Sequence, residues 1–183
     1  SLRSNYGMVL QETWLKSGTV ELGFLSDSCA QDLDFEPLYT DPLICIAPLG
    51  FTTRRPGHVM AEELRGQPFV SQRSDTDADI QNYLKRNDLQ MRTACYVIDD
   101  ESMVGMVACG QGVAIMPELL LTRGDTAPGV QVLALEPPAM RSIGIACLDQ
   151  NSLSPAAREF ARRARNFAAT LQISSFQTMK KRV

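Results

Sequence analysis

Two short stretches concentrate the side chains that could do chemistry. Ser71-Gln72-Arg73-Ser74-Asp75-Thr76 leads out of an apolar run (Pro68-Phe69-Val70) into a helical pattern. Unpaired N–H groups at a helix start, with an arginine beside them, can receive the carboxylate of a small ligand. Ser74, Asp75 or Thr76 can equally serve as a plain helix cap. The second stretch, Asp99-Asp100-Glu101-Ser102, closes another strand and opens another helix. Asp100 and Glu101 read as an acidic first turn, favoured by the positive helix end, and Asp99 and Ser102 as weaker ligand candidates. Catalytic chemistry finds little support. The single histidine, His58, lies in a polar loop, and the five cysteines form no C-x-x-C pair. No metal set or nucleophile–base pair is visible, so neither an enzyme nor a bound cofactor is expected. Gly110-x-Gly112 lacks the third glycine of a dinucleotide loop and has the wrong order of helix and strand.

The elements that must hold these stretches follow from apolar spacing. A helix is expected over 5–17, with Gly18 as its stop and contacts from Met8, Val9, Trp14 and Leu15, then a strand Thr19–Leu25. Pro42–Pro48 is a near-continuous apolar run, the mark of a strand covered on both faces. A short helix at Ala61–Leu64, the strand Pro68–Val70 and a helix with Ile80, Tyr83 and Leu84 on one face come next. Thr93–Ile98 is a strand. Met103, Val104, Met106, Val107 and Ala108 then give a helix its apolar face, Gly110 ends it, and Val113–Met116 is a buried strand stopped by Pro117. Strands at Val130–Leu135 and Ser142–Leu148 follow. Ser154-Pro155 starts a final helix carrying Ala157, Phe160, Ala161, Ala164, Phe167, Ala168 and Leu171, with a frayed tail from Ser174 to Val183.

Alternating strands and helices imply an α/β fold with a largely parallel sheet. Pro/Gly breaks near 48–50 and 137–141 divide the chain into two lobes, 1–48 with 142–183 and 49–141. The 183 residues are 44% hydrophobic and 21% charged, enough for a substantial core. A net charge of −3 gives no general reason to expect nucleic-acid binding by this segment. Arg158, Arg162, Arg163 and Arg165 make a basic face on the last helix, a solvated or subunit-contact surface. No apolar run is long enough to cross a membrane. The odd, scattered cysteines fit a reduced, cytoplasmic setting, and Cys95 and Cys109 could pair only with Cα atoms within about 7 Å.

Taken in order, these segments resemble the regulatory domain of LysR-type transcriptional regulators. Gly18-Thr-Val-Glu-Leu-Gly-Phe24 with Pro37-Leu38-Tyr39 is similar to that family's first lobe. Met103-Val104 through Gly110-x-Gly112-Val113-Ala114-Ile115-Met116-Pro117 is similar to its second. Arg141–Ile145 and Ser154–Phe160 are similar to its return strand and last helix. The resemblance implies a two-lobed, periplasmic-binding-protein-like fold holding a small, anionic effector between the lobes. It places Ser71, Gln72, Arg73, Ser74 and Thr76, then Asp99 and Ser102, at the cleft, with Ser4 facing it from the first lobe. It further implies self-association as a dimer or tetramer, and DNA contact only through a helix-turn-helix outside this chain. The first strand, first helix and second strand of lobe one also have no counterpart here, which would leave the edge beside Val20–Leu25 unpaired. Peroxide-sensing members carry a cysteine pair after the strand that opens lobe two, whereas Ser71–Asn87 contains no cysteine. The alternative of a different class is a stand-alone solute-binding protein of the same fold.

Overall fold

The computed structural model describes residues 8–72, 78–121 and 129–179. The chain folds as two compact units, 1–40 with 142–183, and 41–141. It passes from one to the other inside two strands, β2 (Asp34–Pro48) on the way out and β8 (Met140–Cys147) on the return.

In the first unit, α1 (Met8–Lys16) ends at Gly18, whose φ of +69° needs no Cβ. The amides of Thr19 and Val20 bond back to the Trp14 carbonyl. That closure takes them out of the expected strand, so β1 starts later, at Gly23–Ser26. β1 lies antiparallel to β8, with Gly23 opposite Ala146 and Phe24 opposite Ile145. Among the described residues β8 is the one strand that β1 pairs with, and β8 in turn neighbours β2. Because side chains alternate across a strand, the two faces separate cleanly. Leu25 packs with Leu15, Ala30 and Ala146 under α1. Phe24 turns to the opposite face and meets Phe160 of α6 (Pro155–Met179) edge-on, ring centroids 6.1 Å apart. α6 buries its alanines, Ala157, Ala161 and Ala168, while Phe160 and Phe167, which share their helical spacing, stay exposed. Leu171 and the last residues, 180–183, lie outside the described side chains and backbone respectively. α6 continues to Met179, past the expected fraying point at Ser174.

In the second unit the inner half of β2 is the central strand. It pairs antiparallel with β6 (Ala114–Pro117) and with β7 (Val130–Glu136). β7 pairs parallel with β3 (His58–Met60), which runs into the short helix α2 (Ala61–Leu64). β4 (Pro68–Gln72) and β5 (Arg92–Val97) are a parallel pair joined to β6 through a bridge between Phe69 and Val113. The sheet is therefore mixed rather than largely parallel: β6 and β7 come back alongside β2, and helix–strand alternation does not reveal that reversal. β2 also explains why Leu43–Pro48 belong to the second unit instead of the first, as the break at 48–50 suggested. Its residues 43–48 are paired on both edges by β6 and β7.

The apolar run of β2 is covered on both faces, as its sequence implies. Leu43, Cys45 and Ala47 face one core with Tyr83 and Leu84 of α3 (Ala78–Arg86), with Ile80 packed against it. Ile44 and Ile46 face a second core with Val70, Val97, and Met103 and Val107 of α4 (Asp100–Ala108). A four-residue helix, α5 (Glu118–Leu121), follows β6 directly, where Pro117 reads as a stop.

Candidate functional site

β4 and β5 are parallel, so their carboxyl ends lie at the same edge, with Ser71 opposite Tyr96 and Gln72 opposite Val97. In α/β sheets, this end is where ligands are received, because helix N-termini point there. α4 presents its N-terminus at that edge. Asp99 is its cap: the carboxylate accepts the Ser102 amide at 2.7 Å, and this bond holds its pKa below the ordinary aspartate value. Ser102 and Asp99 are thus partnered with each other. The Ser71 hydroxyl oxygen is buried and finds no hydrogen-bond partner among the described residues. A buried, unpaired hydroxyl is costly unless a ligand or water completes it.

Of the expected site residues, Ser71, Gln72, Asp99 and Ser102 are brought to this one edge. Arg73, Ser74, Thr76 and Ser4 lie outside the described residues.

Two features were not singled out from the sequence. Asp100 is more than a solvated acid of the first turn: Gln72 Nε2 donates to its Oδ1 at 2.6 Å, tying the end of β4 to the start of α4. Burial raises the pKa of Asp100, and repulsion from Asp99 raises it further, against the opposing pull of Gln72 and Arg141. The second feature is Arg141, whose Nε and Nη2 reach Asp41 Oδ2 at 2.9 and 2.8 Å. The Asp41 side chain is fully buried and that of Arg141 is 6% exposed. The other Asp41 oxygen accepts the Leu119 amide at 2.9 Å, at the start of α5. These two residues are the first and last of the second unit. The only local sign of the pair is a charge placed at the mouth of each of two apolar runs, Pro42–Pro48 and Ser142–Leu148.

Among the described residues no group of three or more His, Cys, Asp or Glu side chains could hold a metal, and no helix is long and apolar enough to cross a membrane. The arrangement offers hydrogen bonds, helix-end N–H groups and a partly buried carboxylate. It is suited to holding a small polar molecule.

Comparison with known proteins fits this picture. The family model described as LysR substrate binding domain matches residues 8–169. A search of curated proteins gives no match. Among solved structures, the CcmR regulatory domain of Synechocystis PCC6803, in complex with 2-PG, superposes with a TM-score of 0.78 at 16% identity, covering 88% of this chain and 80% of that one. The effector-binding domain of QuiR in complex with shikimate gives 0.75 at 24% identity, covering 90% and 79%. The C-terminal domain of a probable LysR family regulator from Rhodococcus sp. RHA1 gives 0.74 at 21%, covering 90% and 82%. With a family match over most of its length and the same fold in these neighbours, the chain belongs to the LysR substrate-binding domain family, whose fold is the two-lobed, periplasmic-binding-protein-like one.

Proposed function

We propose that this chain is the effector-sensing and oligomerisation domain of a LysR-type transcriptional regulator, and that its effector is a small, anionic metabolite received at the carboxyl ends of β4 and β5. The observation that carries the reading is the buried Ser71 hydroxyl, without a partner among the described residues, at the strand end where Gln72 bonds Asp100 at the start of α4. A ligand hydroxyl or carboxylate oxygen would complete Ser71, and Arg73 with the first amides of the following helix would supply the charge. Asp99 and Ser102 join that set as candidates, and so do Ser74, Thr76 and Ser4, which lie outside the described residues. The neighbours solved with 2-PG and with shikimate support a small-molecule role for this fold. No covalent step is involved. Effector binding changes transcription only by favouring one arrangement of the domain over another, through contacts that differ between them. DNA is contacted by a helix-turn-helix module of the regulator and not by this chain, and the setting is cytoplasmic.

The test is a thermal-shift screen of small carboxylates against the wild type, followed by calorimetric titration of each hit with Arg73→Ala and Gln72→Ala. A hit that binds wild type and loses about ten-fold or more in affinity with either variant supports the site. Hits that bind all three proteins equally overturn it. Light scattering of the same protein, with and without the hit, reads the oligomer: a strictly monomeric domain under both conditions removes the oligomerisation role.

A further inference from the structure

We infer, resting on the reception site proposed above, that the effector carries a hydrogen-bond donor beside its carboxylate, a hydroxyl or an ammonium group, and that Asp100 selects it. The end of β4 divides by face. Phe69 packs with Tyr83 and Leu84 of α3, and Val70 with Met103 and Val107 of α4. Alternation along the strand therefore sends Ser71 out on the α3 side and Gln72 on the α4 side. The bond from Gln72 Nε2 to Asp100 Oδ1, at 2.6 Å, runs in that direction. The Ser71 hydroxyl, buried and without a partner among the described residues, can donate to a carboxylate on its own side.

The α4 side has the opposite polarity. A helix start ordinarily offers amides to an anion, but here they are turned inward. The Ser102 amide goes to Asp99 Oδ1 at 2.7 Å, and the Ser102 hydroxyl and Glu101 amide bond the same carboxylate. Arg141, whose charge acts on Asp100, is committed to Asp41 through Nε and Nη2 at 2.9 and 2.8 Å. What faces a ligand is a pair of acceptors, Asp100 Oδ2 and Gln72 Oε1, neither with a partner among the described residues. A bare carboxylate brought against them meets like charge and returns no bond. A hydroxyl or ammonium group on the same molecule supplies the missing donor and turns repulsion into a charge-assisted hydrogen bond. A site built to bond a donor rejects the analogue that lacks it, because its own polar groups are then left unpaired.

The probes are two matched sets of acids, propionate with L-lactate and L-alanine, and succinate with L-malate and L-aspartate. Each is titrated at neutral pH into the ¹⁵N-labelled full chain and followed at the Ser71 and Gln72 amides. In at least one set, the hydroxy or amino acid should saturate those shifts with affinity about ten-fold or more above that of its plain acid. The two donor-bearing arms tell a hydroxyl from an ammonium group. Asp100→Asn gives its side-chain oxygen to Gln72 and presents an N–H₂ group to the ligand, so the preference for a donor should disappear. A plain acid that binds as tightly as its hydroxy and amino partners, or a preference that survives Asp100→Asn, overturns the selection by Asp100 and leaves the reception site standing. The absence of saturable shifts at Ser71 and Gln72 with every one of these acids overturns the reception site, and the selection with it.

Discussion

Replacing Arg141 by methionine tests how the second unit is held together where the chain enters and leaves it. In the wild type, Asp41 is wholly out of water and depends on two donors, the Arg141 guanidinium and the Leu119 amide. Arg141→Met fills much of the same volume but leaves a buried carboxylate with one neutral donor. Removing one member of such a pair costs about 3–5 kcal/mol, much of it the penalty of the charge left behind. Asp41→Asn keeps an acceptor for Leu119 but removes the negative charge paired with Arg141, and should also destabilise the protein. In the double variant, Asp41→Asn/Arg141→Met, neither charge is buried alone, so the loss should fall short of the sum by about 1.5–3 kcal/mol. Urea unfolding followed by far-UV circular dichroism gives the cycle. Trp14 fluorescence is the wrong probe, because Trp14 sits in the first unit. Hydrogen exchange at the Leu119 amide supplies the local reading and should accelerate in Arg141→Met. Single losses below about 1 kcal/mol, or a double variant equal to the sum of the singles, would refute the reasoning.

Three further outcomes are expected. Asp100→Asn should stabilise the protein at pH 7. The raised pKa means the folded state holds the proton more tightly than the unfolded state, so wild-type stability falls as pH rises through that window. The gain should vanish below the ordinary aspartate pKa, and pH-dependent urea melts of both proteins show whether it does. Gly112→Ala places a Cβ 2.3 Å from the Pro68 carbonyl oxygen at a φ of +154°, whereas Gly110→Ala meets open space at +77°. The first should cost more than about 4 kcal/mol and the second about 1–2 kcal/mol, read from the same melts. Burial pushes the Cys45 thiol up to about 12, while Cys109 is exposed. Iodoacetamide on the native protein should therefore label Cys109 and spare Cys45, by peptide mass spectrometry; modification of Cys45 at a comparable rate would contradict the packing.

What the sequence revealed was local. The acid cluster before an apolar helical pattern marks where α4 begins, though not that Asp99 is its cap, and the unbroken run after Pro42 identifies a strand buried on both faces. Positions that depend on remote partners were not legible. Asp41 and Arg141 are a hundred residues apart, and the Gln72–Asp100 bond joins two elements that each read sensibly alone. Strand direction was hidden for the same reason: nothing near Ala114 or Val130 says that β2 lies beside it in the opposite sense. α6 shows a different limit. Its helical spacing groups Phe160 and Phe167 with the alanines, yet only Ala157, Ala161 and Ala168 are buried. Among the candidate site residues, the sequence pointed to Ser71, Gln72, Asp99 and Ser102, but not to which of them lacks a partner among the described residues.

The most direct test of the effector-sensing role is a ¹⁵N amide-shift titration of the full chain with a small carboxylate that raises its melting temperature. The expected result is a saturable set of shifts at Ser71, Gln72 and Asp100 to Ser102, where β4 ends and α4 begins. A carboxylate that stabilises the protein yet leaves those amides unmoved would contradict the placement of the effector site.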